Sequence, residues 1–175
     1  LVVDVVFGGL FFVFVNAHQL EIELIPANAA RLADLGMRIL AAANEQVAVR
    51  HPELSHIDKI IDLRFYVEPG SNGADSRNVV ILGDHMVDRS PCGTGTCAEV
   101  ALRYAQGQLG LGEPFVTESI IGTHFTGQVV AETRVGSGSE VFPAVIPKVT
   151  GSAHITGLHQ FVLDPDDLFP EGFRL

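Results

Sequence analysis

An α+β domain with a mostly antiparallel sheet is the fold class this sequence predicts. Three observations carry it. Two stretches space their apolar residues helically, and short runs rich in Val, Ile and Phe flank both of them. Turn-forming clusters separate the runs, notably EPGSNGADSRN from Glu68 to Asn78 and GSGS from Gly136 to Ser139. A length of 175 residues, 47% of them hydrophobic, with a mean hydropathy of +0.30, suffices for one domain with a real core and excludes disorder.

The elements follow in chain order. Val5 to Val15 is apolar throughout but too short to span a bilayer, and no basic segment precedes it. It reads as two buried strands bent at Gly8 and Gly9. The chain opens on Leu1, already inside a strand-like run, as a fragment does. Beyond Pro26 a helix is expected from about Ala27 to Val49. Leu32, Leu35, Ile39, Leu40, Ala43 and Val47 form its apolar stripe, and Arg31, Asp34, Arg38 and Glu45 are left for solvent. Pro52 closes it. Ile57 to Val67 is the next strand, and after the loop at Glu68 to Asn78 comes a short strand from Val79 to Leu82. Gly83 to Ser90 leads into a second helix from Gly93 to Ala105, closed by Gly107, with Cys97, Val100, Ala101 and Tyr104 as its apolar face. Phe115 to Ile121, Gly127 to Arg134, Glu140 to Ile146 and Ala153 to Leu163 complete the strands. No internal repeat or low-complexity segment interrupts this order.

A formal net charge of −10, with only 11 scattered Lys and Arg residues, argues against nucleic acid or an anionic membrane as partner. The two cysteines, Cys92 and Cys97, flank a helix start and make no disulfide framework, which fits a reducing cytoplasm.

The segment DRSPCGTGTCA, Asp88 to Ala98, carries the chemistry. Cys92 follows a proline and opens a Gly-Thr run where a loop becomes a helix. Unpaired N–H groups and the positive end of the helix dipole favour an anion there. The thiol is therefore expected to titrate below its free value of about 8.5. Gly93 and Gly95 let the backbone approach a ligand, and a substrate carboxylate could share the same donors. Proton transfer, or nucleophilic attack, on a small carboxylate-bearing molecule is the chemistry indicated. Each residue also has a plain structural reading. Cys92 would be a small buried hydrophobe, Asp88 an N-cap or a partner for Arg89, and Gly93 and Thr94 merely a helix start. Cys97 is read as packing. No metal site is expected, because neither cysteine shows ligand spacing with His85 or His124.

DRSPCGTGT, together with ESIIGTHFTGQV (Glu118 to Val129) and VTGSAHITGLHQFVLDPDDLF (Val149 to Phe169), resembles the C-terminal half of the proline racemase and hydroxyproline epimerase family. VDVVFGGLFFVFV (Val3 to Val15) is similar, more loosely, to that family's strand pair around Gly-Gly. The resemblance implies the diaminopimelate-epimerase-like fold, in which two α/β lobes each wrap a curved, mostly antiparallel sheet around a central helix. Each lobe supplies one catalytic cysteine to the cleft between them. On that basis residues 1–150 are a truncated second catalytic lobe, and residues 151–175 are a terminal strand and tail that return to a first lobe.

The implied reaction is cofactor-independent inversion of the α-carbon of proline or 4-hydroxyproline. Removing a proton from one face and returning one to the other calls for two opposed acid/base groups, and a thiol pair serves. Cys92 would be one of them. The resemblance further implies that Asp88 pairs with the substrate's secondary ammonium and that Gly93 and Thr94 bind its carboxylate. Leu82 stands where an aromatic commonly packs on the ring, leaving room for a hydroxylated one. No pyridoxal phosphate or other cofactor is implied. The expected partners are the small amino acid substrate and, in the full-length protein, a second copy in a homodimer. One lobe alone is expected not to turn over. Other readings stay open: a trans-3-hydroxy-L-proline dehydratase of the same family, which tends to carry Thr at the Cys92 position, a non-catalytic binding lobe, and a thiol-based hydrolase or redox protein.

Overall fold

The computed structural model describes residues 1–173. The last two positions of the expected tail, 174 and 175, lie outside the described residues. The apolar N-terminus forms an antiparallel hairpin, β1 (Asp4–Phe7) and β2 (Phe11–Asn16), with Asp4 opposite Phe14. Helix α1 (Ala29–Gln46) follows a short 3-10 turn at Pro26–Asn28. Strand β3 (Ile60–Val67) then runs parallel to β2, and β4 (Ser76–Leu82) returns antiparallel to β3. A two-residue strand, β5 (Met86–Val87), folds back on β4. Helix α2 (Gly93–Ala105) precedes β6 (Phe115–Glu118), which lies parallel to β4. The long hairpin of β7 (His124–Ser137) and β8 (Glu140–Thr150) closes one curled sheet, ordered β1-β2-β3-β4-β6-β7-β8. Among the described strand pairs only β2–β3 and β4–β6 are parallel, so the mostly antiparallel expectation holds.

Strand alternation sends β2–β4 side chains to two covered faces. Val13, Val15, Leu63, Phe65, Val79 and Ile81 pack against Leu32, Ala33, Leu40 and Ala43 of α1. Phe12, Phe14 and Val80 face the other way, onto Cys92 and Ala98 at the start of α2. The glycine bend of the first hairpin rests directly on α2. A Cβ at Gly8 would lie 2.4 Å from the Ala98 nitrogen and 2.5 Å from the Thr94 carbonyl oxygen.

Three expectations are corrected. β4 begins at Ser76, not Val79, because Ser76 and Asn78 bury their polar side chains in hydrogen bonds. Of the apolar face assigned to α2 only Val100 is fully buried. Cys97, Ala101 and Tyr104 are half-buried, whereas Thr96, Ala98, Glu99, Val100 and Arg103 are buried. β1 and the β7–β8 hairpin enclose this helix from several sides, so no single stripe defines its interior. Finally, Ala153–Leu163 forms no strand. Ile155, Leu158 and Phe161 are 90%, 96% and 93% exposed, because no described strand lies beside them to take up their backbone hydrogen bonds.

Candidate active site

The site is built where β4, β5 and the N-terminus of α2 converge. Asp88 is anchored by its own N–H, which donates to the Val80 carbonyl at 2.9 Å, and its Oδ1 accepts the Ser90 N–H at 2.8 Å. Ser90 Oγ in turn accepts the Cys92 N–H at 3.0 Å. These short-range bonds fold DRSPC into a compact arch. Cys92 leaves it with φ +65, a left-handed conformation that costs a non-glycine residue energy and is typical of functional positions. Thr96 locks the arch from within α2, its N–H and its hydroxyl both donating to the Cys92 carbonyl, at 2.9 and 2.7 Å.

Cys92 is itself the N-cap of α2. Its Sγ accepts the Gly95 N–H at 3.3 Å and lies 3.6 Å from the Thr94 hydroxyl. The expectation of a thiol at a helix N-terminus is therefore met. Its expected acidity is not. Burial among Phe12, Phe14, Val80 and Ala98 leaves Cys92 6% exposed and pushes its pKa above the ordinary thiol value. The Gly95 N–H, the Thr94 hydroxyl and the Arg64 guanidinium oppose that rise, and the Asp88 carboxylate adds to it.

The other expected residues converge on the same place. Leu82 packs, half-buried, on the apolar cluster that contains Cys92. Gly93 and Thr94 form the first turn of α2, where backbone N–H groups lack intrahelical acceptors. Asp88 neither caps α2 nor pairs with Arg89 among the described residues. Cys97 is half-buried, and burial raises its pKa also. His85 is exposed and reaches Asp34 at 3.6 Å, and His124 is exposed at the start of β7. Among the described residues, no group of three or more His, Cys, Asp or Glu side chains could hold a metal ion, and no helix is long and apolar enough to cross a membrane.

Two features escaped the sequence reading. Asp62 of β3 is buried, and burial first, then the Asp88 carboxylate, raises its pKa from 3.8 to about 6. Asp88 thus acts electrostatically on both Asp62 and the thiol. Arg64, two residues along the same strand face, is fully buried and forms an ion pair with Glu99 of α2. Its Nη1 donates to the Pro91 carbonyl at 2.9 Å and its Nη2 to Thr117 Oγ1 at 2.8 Å. Thr117 Oγ1 also meets Asn78 Nδ2 at 2.8 Å and Ser76 Oγ at 2.9 Å. The available signal was the alternation DLRFY in β3, which sets Asp62, Arg64 and Tyr66 on one face.

A buried thiol thus caps α2, with the Asp88 carboxylate close enough to act on it and first-turn N–H groups of the helix beside it. The chain belongs to the proline racemase family, whose model matches residues 1–174. It is 46% identical over 172 residues to a proline racemase of Clostridioides difficile, covering 98% of this chain and 50% of that protein. A 4-hydroxyproline 2-epimerase of Streptosporangium roseum is 40% identical over 172 residues, at 98% and 50% coverage. The crystal structure of a hydroxyproline epimerase from Agrobacterium vitis, with bound trans-4-OH-L-proline, superposes with a TM-score of 0.81 at 36% identity, covering 99% of this chain and 48% of that one. The chain spans about half the length of the curated relatives it matches. Its curled sheet around α2 is the fold shared with half of that hydroxyproline epimerase structure.

Proposed function

We propose that this chain is one catalytic lobe of an isomerase that inverts the α-carbon of proline or 4-hydroxyproline, with Cys92 as one of two acid/base thiols. The observation that carries the reading is the left-handed Cys92 at the mouth of α2, its sulfur held by the Gly95 N–H. A substrate carboxylate would sit on the Gly93 and Thr94 N–H groups, which places the α-carbon in front of the sulfur. Its ring nitrogen, cationic in the zwitterion, would turn toward Asp88 and Asp62. Leu82 would line the ring's apolar side and leave room for a hydroxyl.

The chemistry balances without a cofactor. A thiolate on one face takes the α-proton, the electron pair is held on the substrate carbanion, and a thiol on the opposite face returns a proton. Burial favours the protonated form of Cys92, which suits it to the proton-donating role. Reversal of the reaction exchanges the roles. The opposing thiol would come from a first lobe, to which residues 151–175 would cross, residues 1–150 forming the second lobe. A homodimer and a cytoplasmic location complete the reading, the latter supported by two free cysteines.

Chiral chromatography of L-proline and trans-4-hydroxy-L-proline tests it, using the full-length protein and its Cys92→Ser variant. Inversion of one substrate, lost in the variant, is expected. Failure of the folded full-length protein to invert either would overturn the proposal, and dehydration of trans-3-hydroxy-L-proline would transfer it to the dehydratase reading.

A further inference from the structure

Behind the Cys92 arch lies a buried ion pair that the proton transfers above do not use. Arg64 and Glu99 are both fully buried, and their charges meet beneath the first turns of α2. Placing two charges there is costly unless each is also hydrogen-bonded, and an apolar pair would often fill the space with no loss of stability. What an apolar pair would not supply is a donor to the Pro91 carbonyl and a fixed positive charge close to the sulfur. Gly95 shows how close. A Cβ built there would lie 3.0 Å from Arg64 Nη1 and 3.1 Å from Cys92 Sγ, so the two atoms flank the same glycine at no more than about 6 Å.

We propose that Arg64 is a positioning residue for Cys92: it clamps the Pro91 carbonyl to hold the left-handed cysteine, and its charge supports the thiolate across Gly95. The inference rests on Cys92 being the acid/base thiol. Glu99 holds the guanidinium in place from α2, and Thr117 of β6 holds it from the other side. The remaining polar groups around the sulfur are the Gly95 N–H and Thr94 hydroxyl of α2, the Cys97 thiol one turn on, and Asp88 of the arch with Asp62 beyond it. Arg64 offsets Asp88 and part of the burial, and keeps a deeply packed thiol able to lose its proton.

The test is the pH dependence of iodoacetamide alkylation at Cys92, resolved by peptide mass spectrometry in the full-length protein. Arg64→Lys keeps the charge. The double variant Arg64→Gln/Glu99→Gln removes both charges and, its amide being too short to reach the Pro91 carbonyl, the clamp with them, and leaves no buried ion unpaired. Arg64→Lys is expected to alkylate with a near-native profile, and the double variant to alkylate roughly tenfold more slowly at pH 8, with its midpoint moved up. A folded double variant with the native profile, or Arg64→Lys displaced as far as the double variant, would overturn the proposal. Alkylation needs no turnover, so these results are independent of whether the enzyme inverts proline. Failure of the inversion assay with the Arg64 effect intact would sink the function and leave the clamp standing.

Discussion

Replacing Asp62 with asparagine is expected to stabilise the protein at neutral pH and to remove a pH dependence that the native chain carries. In the fold the Asp62 pKa is raised from 3.8 to about 6, by burial first and the Asp88 carboxylate second. The folded state therefore holds this proton more tightly than the unfolded chain does. Its contribution is greatest below the unfolded value and is lost as pH rises through about 6. At 1.36 kcal/mol per unit the full shift corresponds to a ceiling of about 3 kcal/mol. Relaxation of the surroundings around the charged carboxylate takes back part of it, leaving roughly 1–2 kcal/mol. Urea unfolding of the full-length protein at pH 4.5 and pH 8 measures this. The advantage of Asp62→Asn over the native chain should grow by roughly 1 kcal/mol between those pH values, with a Tm gain at pH 8 of roughly 2–4 °C. An advantage independent of pH, or a variant less stable than native at pH 8, would refute the reasoning. If Asp62 meets the substrate ammonium, the same variant loses affinity while gaining stability, because the carboxylate is retained for binding at a cost to the fold.

Gly95→Ala would press a methyl group to 3.0 Å from Arg64 Nη1 and 3.1 Å from Cys92 Sγ. Thermal unfolding should show a loss of roughly 1–3 kcal/mol, since neither packed atom can retreat freely. The tail supplies a test of lobe organisation. Leu158 and Phe161 are almost fully exposed, so replacing both with Ser should shift the stability of residues 1–175 by less than about 0.5 kcal/mol. In the full-length protein the same pair should cost about 3 kcal/mol or more if the segment docks on a first lobe. Equal, small effects in both would remove the case for that crossing.

Local chemistry was the legible part of this molecule. The Pro-Cys-Gly-Thr run announced the start of α2 because each residue acts within one turn of the backbone, and Cys92 is where that reading put it. The Gly-Gly bend was legible for the same reason, and so was the α1 stripe as far as Ala43, whereas Val47 lies past the end of the helix and is exposed. Quantities set by distant partners were not. The thiol's pKa direction turns on Phe12 and Phe14, about eighty residues upstream, whose packing outweighs donors that the local sequence displays. Arg64 finds Glu99 35 residues away, beyond any local period. Ser76 and Asn78 read as loop because their hydrogen-bond partners lie on β6.

β3 shows why such a face misleads. Its alternation of Asp62, Arg64 and Tyr66 with Leu63, Phe65 and Val67 is the pattern of an antiparallel strand with one wet side. Here that side is covered, Arg64 by α2 through Glu99, so Asp62 and Arg64 are buried, and a buried charge persists only with a partner or a shifted pKa. Arg64 has the first and Asp62 the second. Polar alternation on a strand whose two faces are both covered therefore marks a site, and the position of α2 is what separates that meaning from solvent.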